Sequence, residues 1–174
     1  LKKLIDLNKP VVFLMGLDEI DLSLLKNAFV VYLGHHGDKA ASIADIILPT
    51  PAYTEKSSTY MNIEGRVIQT NKCHNPLGEA REEWKIFRVL SNLLSQKLKF
   101  NNISELRNEI TNKHNQFSSL NDINPIREIT CDKTHKLNDI KIKYNISNFY
   151  MNDSISRSSE TMALCTKDIL NKAA

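Results

Sequence analysis

With 174 residues, 41% hydrophobic and 25% of them charged, the chain can bury one core or supply one piece of a larger body. Its formal charge of +3 comes from scattered Lys and Arg residues that line no single face, which argues against nucleic acid as a partner. The longest apolar run, Ala28 to Leu33, is strand-sized and far short of the roughly 20 residues that span a bilayer. The sequence therefore predicts no direct membrane insertion.

Val11 to Met15, entered by Pro10 and closed by Gly16, has the pattern of a buried strand. Asp18 to Asn27 sets acidic residues ahead of Leu22, Leu24 and Leu25 and predicts a short helix. Phe29 to Leu33 is a second buried strand, closed by Gly34. Ala40 to Ala44 gives one or two helical turns, and Ile46 to Leu48 is a third strand stopped by Pro49 and Pro51. Strands joined by short helical crossovers predict an α/β fold with a parallel sheet covered on both faces. Glu55 to Asn62 is polar and reads as irregular. Glu64-Gly65 reads as a turn, and Arg66 to Thr70 as a short edge or hairpin strand.

The strongest helix follows Gly78. Glu79, Glu82 and Glu83 are expected in its first turn, where negative charge suits the helix dipole, with Lys97 and Lys99 near its end. Trp84, Phe87, Leu90, Leu94 and Leu98 step by three or four, and Ile86, Val89 and Leu93 widen the stripe, which is expected to bury against a core. After Phe100 the composition changes, which divides the chain into an α/β portion at 1–100, a divergent helix and surface loop at 101–138, and a strand and C-terminal helix at 139–174 packing back on the domain. Ile103, Leu106 and Ile110 predict the second helix, and residues 112–138 a long polar loop with a turn at Asn124-Pro125. Ile140, Ile142 and Tyr144 alternate with Lys141 and Lys143 as a half-exposed strand. A last helix starts near Ser154 or Ser156, with Ile155, Met162, Cys165 and Ile169 on one face.

Two clusters could carry chemistry. Gly34-His35-His36-Gly37-Asp38-Lys39 follows a strand and precedes a helical turn, the place where α/β folds hold ligands. It lacks the glycine spacing of a phosphate loop, and adjacent histidines without a third ligand make a poor metal site. A tight strand-to-helix turn and a contact with a neighbouring subunit are the readings that remain. Asn62-Ile63-Glu64-Gly65-Arg66 could clamp a carboxylate or another anion through Arg66, or form an internal Glu–Arg pair around a glycine turn. Glu55 and Lys56 have no partner nameable from sequence. Cys73, Cys131 and Cys165 are widely spaced, without a Cys-x-x-Cys pair, so a zinc or iron–sulfur site made by this chain alone is not expected.

Three stretches carry a family resemblance. The first is Val31 to Ala41 with Ala44-Asp45-Ile46-Ile47-Leu48-Pro49, the second Ala52 to Val67, and the third Phe149 to Ser159 with Thr161-Met162-Ala163. Together with the helix from Glu79-Ala80-Arg81 to Leu94, they resemble the large iron–sulfur subunit of respiratory complex I, NADH:ubiquinone oxidoreductase. The Ala-Asp-x-x-Leu-Pro and Asn-x-Glu-Gly-Arg frame is shared with molybdopterin oxidoreductases at large, whereas the His-His-Gly-Asp loop and the Phe-Tyr-Met tail point to the complex I branch.

The resemblance implies an α/β fold: part of a parallel-sheet molybdopterin-oxidoreductase-like domain with a helical, loop-rich C-terminal extension. It implies no catalytic, cofactor-binding or metal residue in this chain, with the iron–sulfur clusters held by an N-terminal piece of the same ancestral subunit. Such a chain would be a structural component of the matrix-side peripheral arm at the mitochondrial inner membrane. Its partners would be that N-terminal piece and other peripheral-arm subunits. The sequence opens at Leu1 without a secretory or transit pattern, as expected of a split subunit or of a chain whose leader has been removed. Gly34, His35, His36, Gly37, Asp38, Glu55, Asn62, Glu64, Gly65 and Arg66 are the candidate inter-subunit or fold-defining contacts. The alternative is a fragment of a true molybdopterin-dependent oxidoreductase, such as a formate dehydrogenase, with Arg66 and the Glu55 region near the pterin.

Overall fold

The computed structural model describes residues 9–17, 20–37, 39–122, 146 and 148–170. It divides into two compact units, Leu1–Ile47 with Asp132–Ala174, and Leu48–Cys131.

In the first unit, β1 (Val11–Met15) and β2 (Phe29–Gly34) pair in parallel, Val11 opposite Phe29 and Met15 opposite Leu33. The strand order is β1-β2-β3, with β3 at Ile46–Pro49, where the chain passes into the second unit. The apolar runs explain why β2 is central, since Val30, Val31, Tyr32 and Leu33 are all buried. One face of the sheet packs Leu14, Val30 and Tyr32 against Leu25 and against Ala40 of α1 (Lys39–Ser42), with Ile20, Leu22, Ala28, Ala41 and Ala44 around them. Asp45 locks the return of the chain: its N–H donates to the Val30 carbonyl at 2.8 Å, and its Oδ2 accepts from Val30 N–H at 2.7 Å.

The helix expected over Asp18 to Asn27 is a single 3-10 turn at Leu22–Leu25, within the described residues of that span. Asp21 caps it by accepting from Ser23 N–H at 3.0 Å. Ala28 N–H then closes onto the Leu25 carbonyl and Phe29 N–H onto Pro10, so the chain is committed to β2 before a second turn can form.

The C-terminal part of this unit is a run of short helical pieces: a 3-10 turn at Phe149–Met151, α4 (Ser154–Arg157), α5 (Glu160–Cys165) and a π turn at Thr166–Leu170. The Asp153 carboxylate caps α4 and the Ser159 hydroxyl caps α5, so the single helix expected there is broken where a second capping side chain intervenes. The strand expected at Ile140, Ile142 and Tyr144, the turn at Asn124-Pro125 and Cys131 lie outside the described residues.

In the second unit, β4 (Thr59–Met61) and β5 (Val67–Gln69) form an antiparallel hairpin with Tyr60 opposite Ile68. Part of the segment expected to be irregular is thus a strand. Cross-strand pairing of Thr59, Tyr60 and Met61 overrides the polar composition around them. A 3-10 turn at Tyr53–Glu55 precedes it. The long helix α2 runs Glu83–Leu93, with Glu82 at its N-cap. Glu79 therefore precedes the helix, in a turn closed by Ala80 N–H on the Leu77 carbonyl, and Arg81 N–H donates to the Pro49 carbonyl at 3.1 Å before the helix begins. Lys97 and Lys99 lie beyond its end. Arg88 draws the chain back there, donating through Nε to the Phe100 carbonyl at 2.8 Å and through Nη2 to Asn101.

The apolar stripe of α2 is only partly covered. Trp84 meets Phe100 edge-on, and Phe100 itself is buried, but Val89, Leu93 and Leu94 are 60%, 77% and 65% exposed. A third helix, α3 (Ile103–Lys113), is capped by Asn102 and runs past the residue 112 boundary expected for a loop. A bridge from Leu120 to Val67 and a bond from Asn121 N–H to the Val67 carbonyl tie the following segment to the hairpin. Val67 is fully buried.

Candidate functional site

The two candidate clusters fall in different units. In the first, Gly34 ends β2, buried, on the same face as Tyr32. The Tyr32 hydroxyl donates to the His36 carbonyl at 3.3 Å, so the phenol ring lies across Gly34. A Cβ on Gly34 would sit 2.2 Å from that hydroxyl oxygen and 2.4 Å from the ring carbon bearing it, which only glycine avoids. The rings of His35 and His36 meet edge-on, with their Nδ1 atoms 2.6 Å apart, so one donates and the other accepts. His35 is exposed, His36 half-buried and Gly37 exposed, while Asp38 lies outside the described residues. This geometry is that of a tight strand-to-helix turn braced from below by Tyr32.

In the second unit, Asn62 organises the hairpin connection. Its Oδ1 accepts from Glu64 N–H at 3.1 Å and from Arg66 N–H at 2.9 Å, while its Nδ2 donates to Glu64 Oε2 at 3.3 Å. Gly65 sits at a φ of +81°, a conformation that favours glycine, with its N–H on the Asn62 carbonyl. The Glu64–Arg66 pair considered from the sequence is not formed. Glu64 is taken by Asn62, and Arg66 Nη1 donates to the Asn121 carbonyl at 2.6 Å. Arg66 thereby joins the hairpin to the segment after α3. Glu55 caps its own turn, Oε2 accepting from Ala52 N–H at 3.0 Å.

The sequence offered no partner for Lys56, and the structure supplies Glu83. The two form an ion pair, with side chains only 18% and 20% exposed, that fixes the first turn of α2 against the start of the hairpin. Beside it, burial pushes the Glu82 carboxyl up. Hydrogen bonds from Lys85 and Trp84, with the charges of Lys85 and Lys72, outweigh this and hold it below the usual range. Asp45 was visible only as part of the Ala-Asp motif, and its double bond to Val30 could not be read from spacing.

A pterin–metal group needs a metal ligand and a cradle of N–H donors for its phosphate and ring. Several of the groups that the two clusters could offer one are already engaged. The Nδ1 atoms of the two histidines face each other, and the N–H groups of Glu64 and Arg66 are turned onto Asn62. Among the described residues, no three His, Cys, Asp or Glu side chains gather where a metal ion could be held.

Residues 1–93 match the family model of molybdopterin oxidoreductases, more than half of the chain. The chain belongs to the molybdopterin oxidoreductase family. Residues 128–165 match a second model, that of the C-terminal region of one NADH-ubiquinone oxidoreductase subunit. Among curated proteins the chain is similar to the mitochondrial NADH-ubiquinone oxidoreductase 78 kDa subunit of Candida albicans, 44% identical over 88% of this chain and 23% of the relative. It is similar to the 75 kDa subunit of the same enzyme in Reclinomonas americana, 39% identical over 92% of this chain and 24% of the relative. It is also similar to an NADH-quinone oxidoreductase subunit of Rickettsia typhi, 37% identical over 89% of this chain and 23% of the relative. The chain thus spans about a quarter of the length of the curated relatives it matches. The α/β class and the parallel pairing of β1 with β2 agree with this membership.

Proposed function

We propose that this chain is a structural C-terminal portion of the large subunit of a respiratory NADH:ubiquinone oxidoreductase, supporting electron transfer from NADH to ubiquinone without holding a redox centre itself. One observation carries the reading. A single chain matches, in order, the molybdopterin oxidoreductase model and the model of an NADH-ubiquinone oxidoreductase C-terminal region, and its relatives bear the 75 kDa and 78 kDa subunit names. Iron–sulfur clusters would lie in the N-terminal part of that subunit, and this chain would complete its fold. Its place would be the matrix-side peripheral arm at the mitochondrial inner membrane. The Candida albicans relative carries a mitochondrial name, and among the described residues no helix is long and apolar enough to cross a membrane.

In this role the loops at Gly34, His35, His36, Gly37 and Asp38, and at Asn62, Glu64, Gly65 and Arg66, with Glu55, act as fold-defining or inter-subunit contacts. The side chains of His35, His36, Glu55, Asn62, Glu64 and Arg66 bond to one another and to neighbouring backbone, as suits a scaffold. The divergent stretch at 101–138 and the C-terminal extension at 139–174 are accessory to the α/β portion.

Native mass spectrometry of the isolated respiratory complex tests the reading. The chain is expected to co-migrate with NADH:ubiquinone oxidoreductase at one copy per complex. Its absence there, or stoichiometric molybdenum or tungsten in the assembly that contains it, overturns the proposal and favours a molybdopterin-dependent oxidoreductase.

A further inference from the structure

We draw no further inference here: the strongest candidate, the exposed apolar face of α2 in the second unit at Val89, Leu93 and Leu94, is an apolar helix face for which nothing in the structure shows what covers it.

Discussion

The phenol of Tyr32 passes over Gly34 to reach the carbonyl of His36, so a buried strand residue fixes the loop that follows its own strand. Tyr32 is 2% exposed and sits in the core with Leu14 and Val30, so its ring cannot swing aside for a new methyl group. Gly34→Ala is expected to destabilise the chain by about 1–3 kcal/mol through overpacking. Thermal melting of the single variant, of Tyr32→Leu and of the double variant checks the cause. If the ring is responsible, the double variant loses less than the two singles together.

The Lys56–Glu83 pair makes a different prediction. Both side chains are mostly withdrawn from solvent, so neither charge is hydrated well when its partner is removed. Glu83→Gln or Lys56→Met alone is expected to cost about 1–3 kcal/mol, between the values for exposed and fully buried pairs. Lys56→Met combined with Glu83→Leu should recover part of that loss, because it leaves no stranded charge. Chemical denaturation of the three variants reads the difference directly.

These two contacts show what could be read from the sequence. β1, β2 and β3 were legible because Val11 to Met15, Phe29 to Leu33 and Ile46 to Leu48 are short apolar runs bounded by glycine and proline. The turn at Glu64-Gly65 was legible for the same reason, since the chain demands glycine at a positive φ. Lys56 and Glu83 are far apart in sequence, and no local pattern links them. β4 was missed because Thr59 to Met61 becomes a strand only through its pairing with Val67 to Gln69. The start of α2 was misplaced because the Arg81 N–H bonds to Pro49, a contact with no local signature. The periodicity of α2 marks an apolar face expected to bury against a core, without saying how much of it this chain covers, and Val89, Leu93 and Leu94 stay exposed. Of the candidate site, the glycines and Asn62 were legible as turn formers, but the partner of Arg66, the carbonyl of Asn121, was not.

Asp45 substitutes for a strand residue. Its backbone N–H and its carboxylate together satisfy both the carbonyl and the N–H of Val30, a residue 2% exposed in the centre of β2. Asp45→Ala leaves the Val30 N–H without that acceptor and is expected to cost about 1–3 kcal/mol. Asp45→Asn keeps an oxygen in place and should cost less. Hydrogen exchange at Val30 distinguishes the two, with protection lost in the alanine variant and largely kept in the asparagine variant.

Acid should loosen both units, each through a named carboxylate. The Asp153 carboxyl is held below its usual range first by the Ser156 hydroxyl and then by the Ser156 and Ile155 N–H groups, as the cap of α4. The Glu82 carboxyl, despite burial that raises it, is held low by Lys85 and Trp84. A carboxyl lowered in the folded state stabilises that state at pH values above its unfolded value, about 4, and the contribution is lost as the pH falls through the folded value. Stability is therefore expected to be flat from neutrality to about pH 5 and to fall below it. Trp84 is the only tryptophan, and its indole N–H donates to Glu82 at 3.0 Å, so its fluorescence reports protonation of that carboxylate. Glu82→Gln should flatten the fluorescence titration while leaving the loss of helical circular dichroism at Asp153 in place, and Asp153→Asn should do the reverse. A fluorescence titration unchanged in Glu82→Gln would place the acid-sensitive group elsewhere.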